Sequence, residues 1–263
     1  MEHERIEQLL RRLRLPRIRQ LFREWVDRCS REETGYADFL GGLLEEEGTS
    51  REEAHTRNLL KRANFPFDKT LEQFDFRRHP ELRRQVFQNF LDASFIKHGH
   101  TLVLIGAAGL GKTHLGVAIG TYMVQRGFDV RFSRVQSLVN RVIDVDGPRE
   151  RDRILRPYIK CDLLILDELG YLMPDVETGP VLYELIAERY ERKATIITSN
   201  KSLTDWGKVL NDTALASALV DRLMHHGEVY YLKGESYRLK GKKIPTDAPT
   251  EKQKPNTDTE EAA

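Results

Sequence analysis

The sequence predicts an α/β protein: a parallel, doubly wound sheet of five strands preceded by a small all-helical module. Three observations carry that prediction. From about residue 98, short runs rich in β-branched residues alternate with amphipathic helical segments, the pattern of a sheet covered on both faces. A glycine-rich loop joins the first of these runs to a helix. The first 66 residues, dense in charges of both signs, keep a helical period.

Taken in order, Ile6, Leu9, Leu10 and Leu13 form one apolar stripe. After Pro16, the series Ile18, Leu21, Phe22, Trp25, Val26 and Cys29 repeats the spacing of a buried helix face. Two short helices in tandem are expected next. Tyr36, Phe39, Leu40, Leu43 and Leu44 stripe the first, and Ser50 with Glu53 forms a capping-box signature for the second, which runs to about Arg62. The module spans residues 1–66. Residues 64–76 break the period with a proline and read as an extended connector. A helix restarting near Pro80 would carry Leu82, Val86, Phe87, Phe90 and Leu91 inward, so 67–97 is a connector plus leading helix.

The expected strands are TLVLI (101–105), DVRFS (129–133), DLLILD (162–167), ATIITS (194–199) and EVYYL (228–232), within a core of residues 98–240. The tail, 241–263, has three prolines, many charges and Ile244 as its only large apolar residue, so disorder is expected there.

Composition excludes more than it assigns. With 263 residues, 40% of them apolar, the chain suffices for one large domain or an ordinary one plus an accessory. Lys plus Arg total 42 and Asp plus Glu 41, so the net charge of +1 decides nothing about nucleic acid and only local clusters can. Cys29 and Cys161, without any Cys-x-x-Cys spacing, remove a disulfide framework and structural zinc. The opening MEHERIEQLL has no signal-peptide apolar run, and no stretch approaches the roughly 18 apolar residues of a membrane span. A cytoplasmic protein with no membrane partner is expected.

The chemistry concentrates in three places. Gly106-Ala107-Ala108-Gly109-Leu110-Gly111-Lys112-Thr113 is a G-x-x-x-x-G-K-[ST] phosphate loop between strand and helix. Its backbone N–H groups and the helix N-terminus face a polyphosphate. Lys112 reaches the β- and γ-phosphates, and Thr113 ligates Mg²⁺. Leu163 to Glu168 is an apolar strand ending in two carboxylates, Asp167 toward the metal and Glu168 toward a water, which favours hydrolysis over transfer. Asn200 ends another strand beside them, at the carboxyl edge where open α/β sheets bind ligands. Arg222 and Arg238 compete for contact with the γ-phosphate, in cis or in trans. Adjacent histidines point apart on a helix, so His225 and His226 read as solvated residues rather than a metal pair.

The ordered set of phosphate loop, DLLILDELGYL, TIITSNKSLTDWGKVL, ALVDRLMHHGEV and KGESYRLKGK resembles the IstB-like family of insertion-sequence helper ATPases over about residues 1–242. That family belongs to the AAA+ superfamily and is similar to the DnaC-type helicase loaders. The resemblance implies a core with strand order 5-1-4-3-2, ATP and Mg²⁺ as cofactors, a ring or spiral oligomer on duplex DNA, and a transposase partner. It implies Walker A roles for Lys112 and Thr113, with His114 next to them in the ATP site, and Walker B roles for Asp167 and Glu168. Asn200 becomes sensor 1, Arg222 an arginine finger given to the adjacent subunit, and Arg238 sensor 2 in cis. Many AAA+ proteins carry a helical lid domain after the core; about 25 residues follow Arg238, so a neighbouring subunit is expected to close the site.

For DNA, the basic run Arg131, Arg134, Arg141, Arg149, Arg151, Arg153, Arg156 and Lys160 holds eight cations against four acids. It falls where initiator and loader relatives insert a helix along a phosphate backbone. Arg11, Arg12, Arg14, Arg17 and Arg19 form a second cluster. A helicase loader with the same core, a small-molecule kinase and a nucleotide-gated scaffold are the competing readings.

Overall fold

The computed structural model describes residues 2–80, 82, 87–170, 177–234 and 236–237. Three helices come first: α1 (Glu2–Arg12), α2 (Pro16–Arg31) and α3 (Tyr36–Ala63). The α2/α3 pair packs through Ile18, Phe22 and Leu43, with Leu10, Trp25 and Phe39 against them. Of the expected α1 stripe, Leu10 joins this cluster, whereas Leu9 and Leu13 remain exposed.

The expected break between two tandem helices is absent. α3 runs unbroken for 28 residues, and Ser50 sits inside it rather than at a cap. No proline interrupts the segment, and one of its glycines has another use: a Cβ on Gly42 would collide with the Trp25 ring. Glycine here permits close approach of α2 and α3 at a helix-propensity cost of about 1 kcal/mol. Asn64, left-handed at φ 56°, ends the helix ahead of Phe65 and Pro66.

Glu47 of α3 caps a neighbouring helix. Pro16 occupies the first turn of α2, where no side chain of that segment caps the free N–H groups. The buried Glu47 carboxylate accepts from the N–H of Arg17 at 2.9 Å and of Ile18 at 3.1 Å, and Arg51 Nε donates to it at 2.8 Å. Burial pushes this carboxyl's pKa up, but the Arg51 guanidinium and the two backbone donors outweigh it and hold it below the ordinary value. A depressed folded pKa means that the stabilisation is present above the unfolded value of about 4.3 and is lost as pH falls through the folded one. Glu47→Ala is therefore expected to cost about 1–2 kcal/mol at pH 7 and less at acid pH, measured by unfolding followed by circular dichroism.

Two 3₁₀ turns, Leu71–Gln73 and Phe76–Arg78, punctuate the connector. Where one continuous leading helix is expected after Pro80, the described residues form a 3₁₀ turn, Gln88–Leu91, and a short α4 (Ala93–Lys97). Asp92 separates them, accepting the Ser94 N–H at 2.6 Å as the N-cap of α4. Leu82, Phe87 and Phe90 are buried as expected, and Val86 lies outside the described residues.

The core follows as β1 (Thr101–Gly106), α5 (Lys112–Gln125), β2 (Val130–Arg134), α6 (Val135–Ile143), α7 (Pro148–Lys160), β3 (Leu163–Leu169), α8 (Thr178–Arg189), β4 (Ala194–Ser199), α9 (Trp206–Val209), α10 (Thr213–His225) and β5 (Gly227–Leu232). All strand pairs are parallel, and the order is β2-β3-β4-β1-β5, the expected order read from the other edge. Alternation along β1 sends Leu102 and Leu104 to the face packed with α5 and Phe87, Phe90 and Phe95. Val103 and Ile105 face the opposite layer, built from α6, α8, α10 and the fully buried Trp206. Both faces are covered, which is why these strands read as continuous apolar runs. Among the described residues no helix is long and apolar enough to cross a membrane.

Candidate nucleotide-binding site

β1 stops at Gly106, and the loop to α5 turns on glycines in conformations that side chains rarely adopt. Gly109 has φ 81° and Gly111 φ 88°. Gly111 is doubly constrained, because a Cβ there would also press on Phe74 at 2.9 Å. The chain after β5 closes against the loop, with the Tyr237 N–H donating to the Gly109 carbonyl at 2.9 Å. Lys112 Nζ donates to the carbonyls of Gly106 at 2.7 Å and Ala107 at 2.8 Å, which holds the ammonium across the loop.

The two carboxylates of β3 occupy different environments. Asp167 is buried and accepts from the Thr113 hydroxyl at 2.8 Å and the Thr198 hydroxyl at 2.6 Å. Thr113 and Asp167 thus present hard oxygen donors at one point, a set that fits Mg²⁺. Glu168 departs from the strand. Its φ is 63°, and the β3/β4 register shifts between Leu166 and Leu169, so a bulge re-aims its side chain into the cleft. Thr198 joins the pair, since its hydroxyl also accepts the Glu168 N–H at 3.0 Å. Arg134, the last residue of β2, meets Glu168 with Nε 3.3 Å from Oε2.

These groups line a cleft of about 570 Å³ at the carboxyl edge of the sheet. Asn200 lines it too, and its buried Oδ1 has no hydrogen-bond partner, as an atom kept for a ligand or water would. The connector supplies the opposite wall through Phe67, Lys69, Phe74 and Asp75. His114 turns toward that wall, its Nε2 3.1 Å from the Thr70 carbonyl oxygen. Burial lowers the His114 pKa, which the Thr70 contact only partly offsets, and this favours the neutral imidazole.

A family model described as "IstB-like ATP binding protein" matches residues 8–244. The chain belongs to the IstB-like family. It is 36% identical over 241 residues to an ATP-binding protein of insertion sequence IS5376 from Geobacillus stearothermophilus, covering 92% of this chain and 96% of that one. An ATP-binding protein of insertion sequence IS21 from Pseudomonas aeruginosa is also 36% identical, covering 92% and 91%. Among solved structures, DnaI superposes with a TM-score of 0.52 at 22% identity over 64% of this chain and 89% of that one. DnaA from Aquifex aeolicus, bound to AMPPCP, gives 0.53 at 20% identity over 67% and 54%. These structures share the AAA+ fold.

One expected residue of this IstB-like chain, Arg222, falls away from the cleft. Arg222, near the end of α10, lies beside Thr101 and Thr195, where β1 and β4 begin, with its guanidinium 4.6 Å above the Tyr183 ring. The phosphate loop sits at the other ends of those strands, about 17 Å away at 3.3 Å per residue. Arg238 lies outside the described residues.

Of the basic run, Arg131, Arg141 and Arg153 line a separate groove of about 330 Å³, joined by Arg62 from α3 and opposed by Glu150. Arg134 is at the nucleotide cleft, Arg151 pairs with Glu177 at 3.5 Å, and Arg149 is exposed. In the N-terminal cluster, Arg17 is tied to Glu46 at 3.1 Å. Sequence reasoning missed two contributors to the cleft, the connector wall and Arg134 as the partner of Glu168. The proline-broken aromatic run of residues 65–76 was the available signal for the first.

Proposed function

We propose that this IstB-like ATPase is a transposition switch that assembles in several copies on duplex DNA, hydrolyses ATP at subunit boundaries, and recruits or activates a transposase. The observation that carries this reading is the separation of Arg222 from the phosphate loop of its own chain. An arginine at the opposite end of the sheet can meet a γ-phosphate only in a second copy. The transposase partner is supported by relatives described as insertion-sequence ATP-binding proteins.

Each residue of the cleft has a part. The loop N–H groups and Lys112 bind the polyphosphate. Thr113 and Asp167 would hold Mg²⁺, which offsets phosphate charge when bound. Glu168 takes a proton from the attacking water, and Asn200 orients that water. Sedimentation of the protein with a non-hydrolysable ATP analogue and duplex DNA tests the assembly. Larger species are expected only with both ligands, and Lys112→Ala should stay small; assembly indifferent to nucleotide would refute the switch.

The groove of Arg131, Arg141 and Arg153 is the proposed DNA contact. Three phosphate contacts per subunit predict a log–log salt slope near −2.7, so affinity should fall about 40-fold between 50 and 200 mM salt. Arg153→Ala should flatten that slope by about one unit whatever the DNA sequence, measured by fluorescence anisotropy.

A further inference from the structure

The geometry points to a second, unrelated binding site: a transition-metal cation site formed by Glu191, His225 and His226 at the amino-terminal edge of the sheet. Helical geometry would point two adjacent histidines apart, but α10 ends at His225. His226 leaves the helix with φ −128° and ψ 36°, and the two rings come to 4.3 Å between centroids. Both face one carboxylate oxygen. Glu191 Oε1 lies 3.3 Å from His225 Nδ1 and 3.1 Å from His226 Nε2. In a tetrahedral zinc site with ligand bonds near 2.0–2.1 Å, neighbouring ligand atoms stand about 3.4 Å apart, and the two spacings to Glu191 lie close to that value.

The arrangement is held before any ion arrives. Glu191 has φ 57°, a left-handed conformation uncommon for a residue of its kind, in the turn between α8 and β4. Two contacts fix that turn. Arg189, fully buried, donates to the carbonyls of Tyr158, Ile159, Cys161 and Ala194 at its base. Gly99, at φ 63°, lets a neighbouring loop lie directly on the backbone of residues 191–193, where a Cβ would come within 2.8 Å of Arg192 N.

The charge balance also suits a cation. The Glu191 carboxylate supplies a negative charge against the ion's own. The carbonyl end of the α10 dipole points the same way. The donor set is two imidazoles and a carboxylate, which selects borderline first-row divalent ions over Ca²⁺ or Mg²⁺. Two exposed imidazoles and one carboxylate leave the fourth position to water. The Tyr190 hydroxyl, now 2.6 Å from His225 Nδ1, would give up that nitrogen to the ion. Occupancy would tie the turn after α8 to the helix that carries Arg222.

Zn²⁺ titrated calorimetrically into the full chain, without nucleotide, tests the site independently of ATP turnover. One ion per chain is expected, with a rise in thermal midpoint on binding. Glu191→Gln and the double variant His225→Ala/His226→Ala should each weaken binding by more than about tenfold, the scale on which disturbing even a ligand's supporting contacts is felt. Tyr190→Phe should keep binding, because it removes a competitor and no ligand. The three ligand side chains are exposed, so circular dichroism of the Glu191 and histidine variants should match the parent. No binding by the parent chain, or equal affinity in the double variant, would overturn the site.

Discussion

The Arg222→Ala protein is expected to bind ATP as tightly as the parent chain and to lose about 10³-fold or more in turnover, the range in which a supplied arginine acts on a phosphoryl-transfer transition state. The size of the effect follows from its target. A guanidinium that meets the γ-phosphate only as charge develops changes kcat and leaves ground-state affinity alone. Its location makes the sharper test. Because Arg222 and the phosphate loop stand at opposite edges of one sheet, the proposed action in trans requires the two defects to complement each other between subunits. Mixing Arg222→Ala with Lys112→Ala, each inactive alone, should restore turnover at boundaries where an intact loop meets an intact arginine. A steady-state phosphate-release assay across mixing ratios reads this directly. A flat response would sink the proposal that the arginine acts in trans.

Glu168→Gln is expected to lower turnover by about 10²- to 10⁴-fold while preserving ATP binding, since the amide keeps the size of the side chain and cannot take a proton. The same change should lengthen the lifetime of the ATP- and DNA-bound assembly, measured by dissociation from labelled duplex. Asp167 predicts a contrasting outcome. It is buried and receives the hydroxyls of Thr113 and Thr198, so Asp167→Asn disturbs the loop–strand junction itself and should lower ATP affinity as well as turnover. If Glu168→Gln and Asp167→Asn behaved alike, the two carboxylates would not have the separate roles their environments give them.

The sheet was legible because its inner strands β1, β3 and β4 are buried on both faces and so read as apolar runs. Helical crossovers between those runs leave few parallel arrangements. The phosphate loop, Asp167 and Glu168 were legible because their spacing is local. What escaped depends on contacts between distant segments. Ser50 with Glu53 has the pattern of a helix start, but pattern alone does not show Trp25 lying against Gly42 on the unbroken helix. Arg134 reads as one cation in a basic run, and only the pairing of β2 with β3 brings it to Glu168. The opposed placement of Arg222 likewise follows from the parallel sheet, in which every strand starts at one edge and ends at the other. His225 and His226 show the reverse failure. The helical rule applied to them was sound, and the helix stopped one residue too soon for it to hold.

The uninterrupted α3 has a mechanical meaning. At 1.5 Å per residue its 28 residues form a rod about 42 Å long. One part is clamped to α2, while Leu59 and Ala63 near the other end are sunk in the core beside the sheet. Immediately beyond it begins the connector that walls the nucleotide cleft. A hinge at Ser50 would let the two ends move independently; a continuous hydrogen-bonded helix makes them one lever. Torque applied to the amino-terminal helices would therefore be delivered at Asn64, directly before the residues that wall the cleft.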